Sequence, residues 1–177
     1  MSKKIIGAVI ALIIVVGGYF YATPYIAINN IKKAAEAGDS ETVSKYIDYP
    51  SVRQSFKDQL NAMMAKEIAK QQDNEWAALG AMFASAMVEK MVDGFITPEG
   101  MTLMLQGKDL QEATQQSIGA NESSKAEQTK AEYETHYTSL NNFEVIIKDE
   151  DKAKDVKVLM VRDGLSWKVN KIVVPLK

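Results

Sequence analysis

Between Ile5 and Ala22 the chain reads IIGAVIALIIVVGGYFYA, with no charged side chain. A helix needs about eighteen such residues to cross the hydrocarbon core of a bilayer, and this stretch supplies them. A secretory signal peptide has a shorter apolar region of about 7–15 residues and a small-x-small cleavage site. Here a cut after Ala22 would place Phe20 where a small residue is wanted. Tyr19, Phe20, Tyr21 and Tyr25 instead resemble the aromatic belt found at a membrane–water interface. The stretch therefore reads as an uncleaved anchor whose partner is the lipid bilayer, through residues 5–22. A cleaved signal is the competing reading. Lys3 and Lys4 favour a cytoplasmic N-terminus, although Lys32 and Lys33 beyond the span dilute that bias.

Charge and cysteine narrow the rest. With Lys3 and Lys4 set aside, 19 basic residues face 23 acidic ones, a net of −4. A nucleic-acid partner calls for a clustered positive field, and no such cluster occurs. Cysteine is absent, which excludes disulfides, thiolate chemistry and the lipid-modified cysteine of a lipoprotein signal.

After the span, helical spacing comes first. Thr23–Pro24 reads as a helix start, a capping residue followed by proline. Ile28, Ile31 and Ala35 mark one helical face, and Gly38 supplies a stop. Asp39 or Ser40 caps a short helix with Val43, Tyr46 and Ile47 inside. Tyr49–Pro50 breaks it, and Val52, Phe56, Leu60, Met63 and Met64 space out the next helix. Asp73 or Asn74 opens a fourth, carrying Trp76, Leu79, Phe83, Met87 and Met91. Thr97–Pro98 starts a short fifth that runs through Leu105. Residues 106–131 are rich in Gln, Ser, Ala, Glu and Lys and read as a flexible connector.

The period then changes to two. Tyr133, Thr135 and Tyr137 alternate with polar residues. Phe143, Val145 and Ile147 form a second strand face, and Val156, Val158 and Met160 a third. Asp163–Gly164 is a hairpin signal. Leu165, Trp167 and Val169 continue the last strand, and a phase shift to Ile172 predicts a bulge near Asn170–Lys171. Helices followed by an antiparallel meander of three to four strands define an α+β class. The expected organisation is an anchor over residues 1–23 and a helical part over 24–105. The connector over 106–131 then leads to a sheet over 132–177.

Three segments, TPYIAINNIKKAAEAGDSETVSKYIDYPSVRQSFKDQL, VDGFITPEGMTLML and RDGLSWKVNKIVVP, resemble the bacterial domain-of-unknown-function family 2939. That family's features correspond to Thr23–Tyr25, Asp48–Pro50 and Trp167–Val169. The resemblance implies placement in a bacterial envelope and supplies no catalytic residue. The expected location is the bacterial inner membrane, single-pass, with the C-terminal domain facing the periplasm. The stretch AAEAGDSETVSKYID also resembles the opening of the nuclear-transport-factor and ketosteroid-isomerase α+β fold.

Chemistry is thinly marked. His136 is the only histidine and falls on a polar strand face with Glu134 and Thr138, where a metal site would need three or four ligands. Met82, Met87 and Met91 could suit monovalent copper, but methionine more often fills cores. No phosphate loop or nucleophile elbow occurs, and no cofactor is implied. One candidate apolar groove remains, formed by Ala81, Phe83, Ala84, Met87 and Met91 of the fourth helix with Trp167 of the last strand. Close packing between the two is the plainer alternative. The sequence leans away from an enzyme and toward a binding or interaction module with an envelope protein partner. A small apolar-ligand carrier or enzyme with an isomerase-like pocket is the alternative.

Overall fold

A computed structural model describes residues 3–69, 75–106, 132–148 and 155–174, with side chains outside 67–69 and 75–82. Its elements run α1 (Lys3–Glu36), α2 (Ser40–Ser44), α3 (Tyr49–Ala69), α4 (Glu75–Phe95) and α5 (Pro98–Leu105). The strands β1 (Glu132–Ser139), β2 (Asn142–Lys148), β3 (Val156–Asp163) and β4 (Ser166–Val173) follow. All but Gln106 of the expected connector lies outside the described residues.

The first departure from expectation is α1. Thr23–Pro24 does not start a helix, because one helix continues through both. Pro24 has no N–H to give the carbonyl four residues back, which belongs to Phe20. The Thr23 hydroxyl supplies the missing bond, donating to Phe20 O at 2.8 Å. The boundary expected at residue 23 therefore falls inside α1. On its N-terminal side the helix is bare, with Ile5 through Val16 exposed wherever they are large and apolar. On the other side Ala27, Ile31, Ala34 and Ala35 are core residues. The helix ends as the sequence predicts. Gly38 adopts φ +70°, and the Gly38 and Asp39 amides close back on Ala35 O and Ala34 O. That left-handed cap is what glycine permits without a Cβ clash.

The sheet is a plain antiparallel meander in the order β1-β2-β3-β4. Phe143, Val145, Met160, Trp167 and Val169 are buried on its inner face, as the two-residue period predicts. The bulge is present as well. Leu159 pairs with Lys171 and Met160 with Val169, leaving Asn170 unmatched. One hairpin detail differs. Asp163 pairs with Ser166, so the loop is Gly164–Leu165, with Gly164 at φ +62°. Leu165 is thereby turned out of the strand and exposed.

Helices α1 and α3 cover the sheet. Gln59 of α3 ties itself to the last strand, its amide donating to Ile172 O at 2.7 Å and its carbonyl accepting from Val174 N at 3.1 Å. The fourth helix was the expected cover, but it packs on α3 instead. Arg53 of α3 bonds the Ile96 carbonyl through two nitrogens, at 3.0 and 2.8 Å, which fixes the turn into α5. Thr97 caps α5 by accepting from Gly100 N at 3.1 Å. A Cβ on Gly100 would stand 2.2 Å from the Phe95 carbonyl oxygen. Gly100→Ala is therefore expected to force the turn apart and cost about 1–3 kcal/mol. Denaturant unfolding of the purified variant would check this.

Candidate functional site

The densest cluster of specific contacts lies where α1 passes from its bare half into the core. Proline at position 24 has a second consequence, because it loosens the carbonyl ladder around Phe20 and Tyr21. Donors from the sheet converge there. The Tyr137 hydroxyl donates to Tyr21 O at 2.9 Å, and the Arg162 guanidinium reaches within 3.5 Å of Phe20 O. Burial pushes the Tyr137 phenol above its ordinary pKa, favouring the neutral form that donates this bond.

Trp167 is the centre of this junction. It is fully buried (0% exposed). Its indole N–H donates to Thr23 Oγ1 at 2.8 Å, so the Thr23 hydroxyl accepts from Trp167 while donating to Phe20. Tyr137 and Phe143 meet the indole edge-on, with centroids 5.9 and 6.1 Å away. Arg162 stacks over it at 4.5 Å and over the Phe20 ring at 5.3 Å. Such contacts contribute roughly 0.5–2 kcal/mol each depending on desolvation.

Two residues further along β4, Val169 holds the link between α2 and α3. Val169 N donates to Tyr46 O at 2.8 Å and Val169 O accepts from Asp48 N at 2.9 Å, a parallel bridge between Ile47 and Val169. Asp48 then caps α3 through Ser51, its carboxylate accepting from Ser51 Oγ at 2.6 Å and Ser51 N at 3.3 Å. The segments around Thr23, Asp48 and Trp167, far apart in sequence, thus meet along one strand.

A recess of about 470 Å³ opens beside this strand, with Asp48, Tyr49, Arg162, Asp163 and Lys168 on its walls. Its charges are already occupied. Asp48 caps α3, and Asp163 accepts from Lys168 at 2.7 Å, a bond that raises the Lys168 ammonium above its ordinary pKa. Arg162 serves the junction. What the arrangement does chemically is hold two parts of the chain together. It presents no activated nucleophile.

Among the described residues, Trp167 and the α4 side chains expected to form a groove with it are not brought together. Trp167 faces α1, whereas Phe83, Met87 and Met91 project from α4, 75%, 66% and 50% exposed. Ala84 is half-buried beside them. The side chains of Ala81, Trp76, Leu79 and Met82 lie outside the described residues. Core filling by Met87 and Met91 is likewise corrected, because the sheet they were to meet is covered by α1 and α3. His136 is exposed, as expected, but pairs across strands with Glu144 at 2.8 Å. Among the described residues no three His, Cys, Asp or Glu side chains gather as a metal site. Tyr137, Arg162 and the hydroxyl of Thr23 were not foreseen as a set. The signal for them was Pro24 itself, which leaves a carbonyl in want of donors.

An α+β domain built onto the second half of a long apolar helix is the class these features define. The chain belongs to the family "Protein of unknown function (DUF2939)", whose sequence model matches residues 13–104. The match takes in part of the apolar stretch and the helices. Of the three resembling segments the first lies within it and the second is covered up to Met104, while the Trp167 strand lies beyond it. No curated protein and no solved structure matches the chain, so the likeness to the nuclear-transport-factor fold gains no support.

Proposed function

We propose that this protein is a single-pass anchor protein of the bacterial inner membrane. Its α+β domain faces the periplasm and serves as an interaction module for another envelope protein. The observation that carries the reading is the unbroken helix Lys3–Glu36, apolar and bare in one half and buried in the domain core in the other. A helix whose residues Phe20 and Tyr21 are bonded by the domain's own Tyr137 and Arg162 favours an anchor over a leader cut after Ala22. The exposed row Phe83, Met87 and Met91, one helical turn apart on α4, supports the interaction part of the reading. Such a row fits an apolar partner surface.

Protease added to spheroplasts should digest the domain, and intact cells should protect it. A domain digested only after the inner membrane is lysed would place it in the cytoplasm and reverse the orientation drawn from Lys3 and Lys4.

A further inference from the structure

Two leucines remain unexplained by the fold. Leu140, in the β1–β2 turn, is 86% exposed, and Leu165, in the β3–β4 turn, is 66% exposed. Antiparallel pairing places both turns at one end of the sheet, and Arg162 N donates to Asn141 O at 2.9 Å between them. The Leu140 carbonyl accepts from Arg162 at 3.4 Å, and the same guanidinium nitrogen approaches Phe20 O. The turns therefore sit beside Phe20 and Tyr21, at the last turn of the apolar half of α1.

Direction follows from two further contacts. Thr23 meets Trp167 near the turn end of β4. Seven residues on, Asn30 bonds the Tyr46 hydroxyl at 2.9 Å, and Tyr46 in turn holds Val169, farther from the turn. Helix α1 and strand β4 thus leave the turns together, and the turns face back along the bare helix. Exposed Tyr19 and Tyr21 stand at the same level. Around the leucines the neighbouring polar side chains are small, Ser139, Asn141, Asn142 and Ser166, or paired, Asp163 with Lys168.

We propose that both hairpin tips are seated in the membrane interface, Leu140 and Leu165 dipping beneath the headgroups beside the aromatic collar of α1. The occupant of this surface is the lipid bilayer, reached by continuity with the apolar helix. Large apolar side chains and interfacial tyrosines are what that layer accepts. The proposal rests on α1 being a membrane anchor. It adds that the domain stands on the bilayer in a fixed attitude instead of swinging from a single tether.

The chain has no cysteine of its own, so single labels can be placed cleanly. Full-length Leu140→Cys, Leu165→Cys, Val15→Cys and Glu41→Cys would each carry an environment-sensitive fluorophore. They would be reconstituted in phosphatidylcholine–phosphatidylglycerol vesicles with nitroxide lipids labelled high on the acyl chain. The expected result is blue-shifted, quenched emission at positions 140 and 165, water-like emission at 41 on α2, and deep burial at 15. Water-like emission at 140 and 165 with position 15 still buried would overturn the footing and leave the anchor standing. Water-like emission at all four would overturn both.

Discussion

Trp167→Ala is expected to destabilise the domain by about 3–5 kcal/mol, the range for a buried aromatic truncated to alanine. The side chain is wholly buried, and its loss would open space between Tyr137, Phe143 and Arg162. It would also leave the Thr23 hydroxyl without its donor. Denaturant unfolding of full-length protein in detergent micelles would measure it. Two milder variants separate packing from hydrogen bonding. Trp167→Phe keeps most of the ring area, and Thr23→Val keeps the shape of the threonine. Each breaks the indole–hydroxyl bond, and Thr23→Val also leaves the buried indole N–H without an acceptor, for which about 1–3 kcal/mol is expected. Made together, they should cost less than the sum, with a coupling of about 0.5–3 kcal/mol. Strict additivity would mean that the indole N–H and Thr23 do not depend on each other.

Leu12→Arg with Ile13→Arg should detach the chain from the membrane. An arginine at the centre of a spanning helix costs about 2.5–3.5 kcal/mol on insertion scales, so the pair would cost roughly 5–7 kcal/mol. Both positions are exposed in the bare half of α1, which makes the change neutral for packing of the domain. The expected result is protein shifted from the membrane pellet to the supernatant, with an unchanged unfolding midpoint for the domain. A pellet fraction equal to wild type would show that residues 5–22 do not hold the protein in the bilayer.

Local periodicity made the sheet legible. The faces of Phe143–Val145 and Val158–Met160, the bulge at Asn170 and the Gly38 cap follow from strand alternation and glycine's conformational range. Errors came where a local signal met a tertiary one. Thr23–Pro24 has the composition of a helix start, yet the helix runs through: the Thr23 hydroxyl replaces the one N–H that proline lacks at Phe20 O, with Arg162 beside it, and Tyr137 bonds the neighbouring Tyr21 carbonyl. Leu165 continues an apolar alternation, but the two-residue turn begins at Gly164 and throws it outward. The candidate groove is a different case. Helical spacing of Phe83, Met87 and Met91 marks a face without saying what covers it, and α3 occupies the sheet that this face was expected to meet. The junction itself was half visible. Thr23 and Trp167 each stood in a segment singled out by resemblance, but nothing in a linear sequence pairs residues 144 positions apart.

The proposed anchor requires that the apolar stretch stay attached, as one rod with the domain. Intact mass of the protein recovered from membranes after an alkaline wash tests it most directly. The full chain of 19.6 kDa, retained in the pellet, is the predicted result. A protein released by the wash, about 2 kDa lighter and beginning at Thr23, would show a signal removed by cleavage and contradict the account.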